Sequence, residues 1–170
     1  MTHQLTQKER SLIQDQLAHE EICIKKYRGY ANLTQCQELR NLFNELAQEE
    51  QNHYDTLNRY LEGQSGMQQG QAQGQGQMAQ ADAQTYAWNQ QSQGQTQAGQ
   101  GGQAGQPDDA AMCQDMLMTE KFISGAYDTS VFESANPQLR RDLQKIQDDE
   151  QKHGEKIFNY MQKHGYYNPQ

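Results

Sequence analysis

The chain has 170 residues, a formal net charge of −8 and only 14 Lys and Arg residues. Because no cluster of basic residues is available to neutralise phosphates, we expect no nucleic-acid partner. No apolar run approaches the roughly 20 residues of a membrane-spanning helix, and the N-terminus lacks the basic start and apolar core of a signal peptide, so we expect a soluble protein made in the cytoplasm, without a membrane span.

The first predicted element is a pair of helices within residues 5–62. Thr6 followed by Glu9 has the spacing of a capping box, which opens a helix, and Thr34 repeats that spacing with the Gln three positions later. Gly63 is expected to end the second helix, because glycine takes the left-handed conformation without strain. A short connection between the two helices makes them an antiparallel hairpin.

Residues 63–107 form a low-complexity stretch of mostly Gln, Gly, Ala and Ser. Such a composition cannot bury enough apolar surface to offset the entropy of ordering, so the sequence predicts a mostly disordered linker. An island with Tyr86 and Trp88 interrupts it. Gln-rich tracts also associate through side-chain amides. Both an inert tether and an adhesive segment are therefore open.

A second pair of helices is predicted within residues 108–165. Asn136 followed by Pro137 gives an N-cap and a proline at the first helical position of the last helix. Gly165 is expected to end that helix, which leaves residues 166–170 as a tail.

The two helix pairs repeat each other at an offset of 100 residues without a gap. The matching positions are Leu17 and Leu117, Glu20 and Glu120, Tyr27 and Tyr127, Glu50 and Glu150, His53 and His153, and Tyr60 and Tyr160. The sequence therefore predicts an all-α, antiparallel four-helix bundle made of two repeated hairpins, with the Gln/Gly-rich stretch as a long crossover.

Polar residues interrupt the apolar stripe of every predicted helix. Each stripe carries one Glu, and the second and fourth stripes carry a His one turn later: Glu20, Glu50 with His53, Glu120, and Glu150 with His153. The neighbouring Glu21, Glu49 and Asp149 fall off the stripes and are expected to be solvated. One Glu-x-x-His alone would read as the polar edge of a surface helix.

The six residues are expected to meet at one depth in the bundle. Glu20 and Glu50 lie at equal distances from the first hairpin turn, and Glu120 and Glu150 do so in the second. No Lys or Arg lies on the four stripes, so these carboxylates must be protonated, hydrated or bound to cations. Two Fe or Mn ions would cancel the four charges, with neutral His completing the coordination. A buried protonated network and an inherited site that no longer fills are the alternatives.

Tyr27 and Tyr127 lie two turns beyond Glu20 and Glu120 on their helices. They are able to hydrogen-bond the six-residue cluster or to be oxidised by it. The favoured interpretation is that they are ordinary core tyrosines whose hydroxyls reach the end of the bundle. The three cysteines, Cys23, Cys36 and Cys113, show no Cys-x-x-Cys spacing and are expected to be free thiols.

The second hairpin resembles the Coat F domain of endospore-forming bacteria, which belongs to the ferritin-like superfamily. The resemblance lies in TEKFISGAYDTSVFESANPQLR and in the terminal HGYYNPQ, while LAHEEICIKKYRGYANLT in the first hairpin is similar to the amino-terminal half of clostridial members. It implies a ferritin-like fold and a place in or on the spore coat. Many coat members have lost ligands from the six-residue set, whereas this sequence keeps all six.

Two hypotheses about function follow. The first is a structural component of the spore coat, made in the mother-cell cytoplasm, with other coat proteins and further copies of itself as partners. The second is an active di-iron or di-manganese oxidase or peroxidase that protects the spore. The sequence does not choose between iron and manganese, because both accept Glu and His ligands in this geometry.

Overall fold

The computed structural model describes residues 4–65 and 108–167. Four helices make up most of that part of the chain: α1 (Gln7–Leu33), α2 (Gln37–Ser65), α3 (Asp109–Glu133) and α4 (Pro137–Lys163). No strand occurs in the two described ranges. α1 packs along α2, and α3 packs along α4. The predicted all-α bundle of two helical hairpins is thus confirmed, while nearly all of the predicted linker lies outside the described residues.

The predicted capping box opens α1 and also ties the two hairpins together. Thr6 Oγ1 accepts from the Glu9 N–H at 3.2 Å, and Glu9 Oε2 accepts from the Thr6 N–H at 2.8 Å. The other oxygen of Glu9 accepts from the backbone N–H of Asn136 at 2.7 Å. Asn136 in turn caps α4, with Pro137 at the start of that helix as predicted.

The prediction that Thr34 caps α2 is wrong. The first backbone hydrogen bond of α2 runs from the Arg40 N–H to the carbonyl of Cys36, so Cys36 occupies the capping position. Thr34 instead ends α1, and its hydroxyl donates to Asp109 at the start of α3 over 2.6 Å. The Thr34 hydroxyl also accepts from the Cys36 N–H at 3.1 Å, and the Arg40 side chain donates to the Thr34 carbonyl at 2.8 Å.

The two predicted glycine helix ends have opposite outcomes. Gly165 takes a φ of 72°, and the N–H groups that follow α4 close a Schellman motif, so this prediction is confirmed. α2 continues through Gly63 to Ser65, so the prediction that Gly63 ends it is wrong. Gly63 has no positive φ, which removes the reason to stop the helix there.

The helices place the core between two antiparallel hairpins. α1 runs antiparallel to α3, since the end of α1 meets the start of α3 at Thr34 and Asp109. The contact between α2 and α4 is smaller than the contact between α1 and α3.

None of the described helices has an apolar stretch long enough to cross a membrane. The largest fully buried side chains include Tyr27, Tyr127, Phe43, Ile13, Leu39, Leu46, Leu57, Leu139 and Leu143.

Candidate metal centre

All six predicted ligands meet in the middle of the bundle. Each helix contributes one Glu, and α2 and α4 each add a His one turn further along. The six side chains are buried, and none is more than 7% exposed: Glu20, Glu50, His53, Glu120, Glu150 and His153. The common depth expected from the repeated hairpins is what the structure shows, while the binding of a metal by these residues stays a prediction.

The six side chains form two overlapping groups of ligand atoms. One group contains Glu20, Glu50, His53 and Glu150, and the other contains Glu50, Glu120, Glu150 and His153. Within each group the ligand atoms lie within 4.8 Å of one another. Glu50 and Glu150 belong to both groups, with one oxygen of each facing His53 and the other facing His153, so both residues would contribute to each of two ions.

The distances in each group suit a first-row divalent ion. His53 Nδ1 lies 3.2 Å from Glu50, 3.1 Å from Glu150 and 3.7 Å from Glu20. Ligands held about 2.1 Å from one ion lie about 3 Å apart at a right angle and about 4 Å apart when opposite. The observed spacings fall in this range. The carboxylates are thus close enough to share one ion with the imidazole.

The second group repeats this geometry around the other histidine. His153 Nδ1 lies 3.1 Å from Glu50, 3.7 Å from Glu150 and 3.8 Å from Glu120. The rings of His53 and His153 stack with centroids 5.5 Å apart and an interplanar angle of 17°. Both imidazoles therefore face the carboxylates from one side, through the same ring nitrogen.

The outer nitrogen of each histidine faces a carboxylate of the opposite hairpin. His153 Nε2 lies 2.7 Å from Glu49, and His53 Nε2 lies 3.7 Å from Asp149. The prediction that Glu21, Glu49 and Asp149 are solvated is confirmed for Glu21 and holds only in part for the other two, whose side chains are partly exposed but also face the histidines. An acidic residue immediately before each Glu-x-x-His, at matching positions of the repeat, was the signal that sequence reasoning passed over.

The outer carboxylates influence which ring nitrogen of each histidine carries a proton. A carboxylate on one ring nitrogen favours a proton there and leaves the other nitrogen free to bind a metal. Lys156 Nζ lies 3.0 Å from Glu49 Oε1 and holds this carboxylate in place. The outer carboxylates thus orient each imidazole so that its Nδ1 points at the cluster.

Both core tyrosines donate to the cluster. Tyr27 donates to Glu120 and Tyr127 donates to Glu20, so each hydroxyl crosses to the opposite hairpin. The favoured interpretation, that they are ordinary core tyrosines reaching the bundle end, is therefore wrong. Burial and the neighbouring carboxylates raise the pKa of both phenols, which keeps them as proton donors.

The electrostatics separate the four carboxylates into two pairs. Burial raises the pKa of Glu20 well above its usual value and that of Glu120 to about 8. Burial also opposes ionisation of Glu50 and Glu150, but the close imidazoles of His53 and His153 hold the pKa of both below the usual value. Without a metal, two carboxyls are thus neutral and two are ionised at pH 7.

The histidines balance the ionised pair. Burial works against protonation of His53, yet its contacts with Glu150, Glu20 and Glu50, together with the charge of Glu150, raise its pKa to about 12. The pKa of His153 is also raised, by Glu120, Glu150 and Glu50. Two imidazolium ions then match two carboxylates, so the metal-free cluster is neutral. Two divalent ions with four carboxylates and neutral imidazoles give the same net charge.

Four buried carboxylate oxygens of the cluster fit the binding of a cation. Four buried carboxylate oxygens accept no hydrogen bond from residues 4–65 or 108–167: Glu20 Oε2, Glu120 Oε2 and both oxygens of Glu150. Each such oxygen costs about 1 to 3 kcal/mol or more when it is left without a partner. All four belong to the two ligand groups, so bound cations would satisfy them.

A cleft connects the cluster with the surface. It has a volume of about 490 Å³ and opens between α2 and α4. His53, the most exposed of the six ligands, lies on its floor, and Glu49 and Asp149 line it as well. Basic and polar side chains make up much of its wall, among them Arg59, Lys145, Lys152, Lys156, Asn52 and Thr56. Ions and small polar molecules thus have a route to one edge of the cluster.

Comparisons with known proteins agree with this architecture. Residues 108–170 match the model of the Coat F domain, and that range covers the second hairpin and the tail. The chain is also similar to the crystal structure of a candidate spore coat protein from Bacillus halodurans C-125, with 16% sequence identity and a TM-score of 0.71. The match covers 99% of this chain and 94% of that chain. No curated protein matches the chain. The comparisons therefore show a Coat F domain match in the second hairpin and a shared four-helix fold.

Proposed function

We propose that this chain is a structural component of the bacterial endospore coat whose ferritin-like bundle holds two iron or manganese ions. The match of the second hairpin to the Coat F domain supports the coat role. The likeness of the whole bundle to a candidate spore coat protein agrees with it. The chain would be made in the mother-cell cytoplasm and laid down in the coat beside other coat proteins.

One observation carries the metal part of the proposal. Four buried carboxylates converge on two histidines, and four of their oxygens have no hydrogen-bond donor within the described ranges. Glu50 and Glu150 would bridge the two ions. Glu20 and His53 would complete one coordination group, and Glu120 and His153 would complete the other. This is the ligand set of carboxylate-bridged two-metal sites in helical bundles.

The surrounding residues would hold these ligands in place. Glu49 accepts a hydrogen bond from His153 Nε2 at 2.7 Å, and Asp149 faces His53 Nε2 at 3.7 Å, so both carboxylates favour the ring orientation that turns Nδ1 toward the cluster. Tyr27 and Tyr127 donate to one oxygen of Glu120 and Glu20, which leaves the second oxygen of each free for a metal. Each ligand group contains residues from both hairpins. Metal binding would therefore also stabilise the packing of one hairpin on the other.

An enzymatic function is the second candidate, and the cleft between α2 and α4 favours it. A purely structural ion needs no route to solvent, whereas this cleft leads to His53. Two iron or manganese ions held by these residues would supply a redox couple able to reduce oxygen and to reduce or oxidise peroxide. Peroxide disproportionation, which converts two hydrogen peroxide molecules into one oxygen and two waters, balances without an outside reductant.

Elemental analysis tests the metal site. The full chain is expressed with iron and manganese in the medium and purified without a chelator. We expect about two ions per chain, and a loss of most of the metal in the Glu50→Ala, Glu150→Ala double variant. Glu21→Ala is the matched control, since Glu21 adjoins Glu20 but is exposed. Equal metal content in the double variant and the wild type would contradict the site.

Two further measurements separate the coat role from the enzymatic one. Oxygen and peroxide consumption by the metal-loaded chain, compared with the double variant, tests catalysis, and equal rates would contradict the enzymatic candidate. A tagged chain followed through sporulation tests the coat role. We expect it in the detergent-resistant coat fraction, and recovery only from the soluble mother-cell fraction would contradict a coat component.

A further inference from the structure

Large apolar side chains are exposed along the outer face of α3. Met118 is 65% exposed, Phe122 is 68% exposed and Phe132 is 82% exposed. We call the face that they share the α3 stripe, which consists of Met118, Phe122, Gly125, Thr129 and Phe132, spaced three or four residues apart. Ile22 of α1, 50% exposed, extends it sideways. Exposed apolar surface gathered on one face marks an interaction site.

The internal repeat shows that the bundle itself does not require this stripe. At the offset of 100 residues, the positions of Met118, Gly125 and Phe132 are taken on α1 by Ala18, Lys25 and Asn32. These residues of α1 are exposed too, so the same structural place is occupied by small or polar side chains. The fourth position differs, because Phe122 corresponds to Ile22, which is apolar and exposed as well. The exposed apolar surface is thus larger on α3 than on α1, and this excess points to a role outside the fold.

We propose that a second copy of this chain covers the α3 stripe, with the two α3 helices antiparallel about a two-fold axis at Gly125. Gly125 is exposed, and a Cβ there would meet nothing within 4 Å. Glycine inside a helix is less stable than alanine, and neither a positive φ nor a close contact in its own bundle requires it. At the axis of a helix pair, its missing side chain lets the two backbones approach closely.

Charge complementarity identifies the partner as a second copy. Lys121 and Asp128 are exposed on the same side of the stripe, seven residues and so two helical turns apart. Along the helix they lie about 6 Å and about 4.5 Å from Gly125, in opposite directions. In an antiparallel pair, Lys121 therefore comes beside Asp128 of the partner subunit, and the two-fold axis repeats that contact.

Both groups are available for this contact. Within residues 4–65 and 108–167, neither Lys121 nor Asp128 forms an ion pair, and Asp128 accepts only a long hydrogen bond of 3.4 Å from Gln147. On the other side of the stripe, Asp115 and Glu133 are already paired with Lys26 and Lys8 of α1. The free opposite charges thus lie on the one flank where a self-complementary contact can use them.

Sedimentation equilibrium of the full chain tests the dimer. We expect twice the mass of the chain at micromolar concentration, and a monomer in the Phe122→Glu, Phe132→Glu variant. Asn32→Glu is the matched control at the repeat position of Phe132 and should remain dimeric. A wild-type monomer at every concentration up to several hundred micromolar overturns the proposal. The occupant of the α3 stripe would then be something other than a second copy, such as the linker segment around Trp88 or another coat protein.

A charge exchange tests the register. Lys121→Asp alone and Asp128→Lys alone each place like charges together at two contacts, so we expect each to weaken dimerisation about tenfold. Mixing the two variants restores both opposite-charge contacts in the heterodimer, which should then form as tightly as the wild type. Failure of the mixture to recover overturns the pairing of these two residues.

A cysteine at the axis gives a result that does not depend on charge. Gly125→Cys places two thiols opposite each other, so mild oxidation should link most of the chains as a covalent dimer. Lys25→Cys, at the repeat position on α1, is the control and should stay unlinked under the same conditions. Equal cross-linking of the two variants overturns the placement of the axis at Gly125.

Discussion

Loading the centre with two divalent ions should release about four protons at pH 7. In the metal-free cluster, burial keeps Glu20 and Glu120 protonated, with a pKa of about 8 for Glu120. The carboxylates keep His53 and His153 protonated, with a pKa of about 12 for His53. Coordination requires ionised carboxylates and neutral imidazoles, so each of these four groups gives up its proton when the ions bind.

The sign of the pH dependence follows from this release. Because metal binding expels protons, affinity rises as the pH rises, by about 100-fold per ion and pH unit when two protons leave with each ion. Above about pH 8, Glu120 is already ionised in the metal-free protein, so the slope becomes smaller. Affinity falls steeply below neutrality. A site with ionised carboxylates and neutral histidines before binding would show almost no dependence.

Titration calorimetry measures the proton count directly. The metal-free chain is titrated with Mn²⁺ at pH 7 in buffers that differ in ionisation enthalpy, and the slope of the observed heat against that enthalpy gives the protons released. We expect about four per two ions, and about one fewer for His53→Gln, which has no ring proton to lose. A slope near zero for the wild type would refute the assignment of charges in the metal-free cluster.

Two further predictions concern residues whose roles sequence reasoning missed or misplaced. Glu49→Gln should lower the affinity for Mn²⁺ by about 10- to 100-fold, because the outer nitrogen of His153 loses its carboxylate. Glu45 is an exposed partner of Lys156, which also contacts Glu49. The control Glu45→Gln should therefore leave the affinity unchanged in the same titration. Gly165→Ala should reduce the free energy of unfolding by about 1 kcal/mol because of its positive φ, whereas Gly63→Ala should leave it unchanged or raise it slightly. Denaturant unfolding of the metal-free chain separates the two glycines, and equal effects would contradict the helix ends described above.

The sequence was sufficient to predict the bundle and the height of its six inward residues. Helical periodicity places Glu20 and Glu50 on the core faces, and equal rise per residue on both sides of a short turn brings them to one level. The offset of 100 residues then carries the same arrangement to Glu120 and Glu150. These steps depend only on local geometry within each hairpin, which is why they succeed.

Contacts between the hairpins were beyond the sequence. Tyr27 reaches Glu120, and Glu49 reaches His153, so both contacts depend on how one hairpin is rotated against the other. The periodicity of apolar residues along one helix gives no information about that rotation between the hairpins. The misplaced cap at Thr34 is a local error, because α2 begins at Gln37, two residues later than a cap at Thr34 would place it, and the Thr34 hydroxyl accepts from the Cys36 N–H instead.

An anomalous difference map of the crystallised full chain, purified with manganese and measured on both sides of the metal absorption edge, tests the central claim most directly. We expect two peaks about 3.5 to 4 Å apart, one beside His53 and one beside His153, with Glu50 and Glu150 between them. A map without a peak among these side chains, in crystals grown from protein with a full complement of manganese, would contradict a two-metal centre.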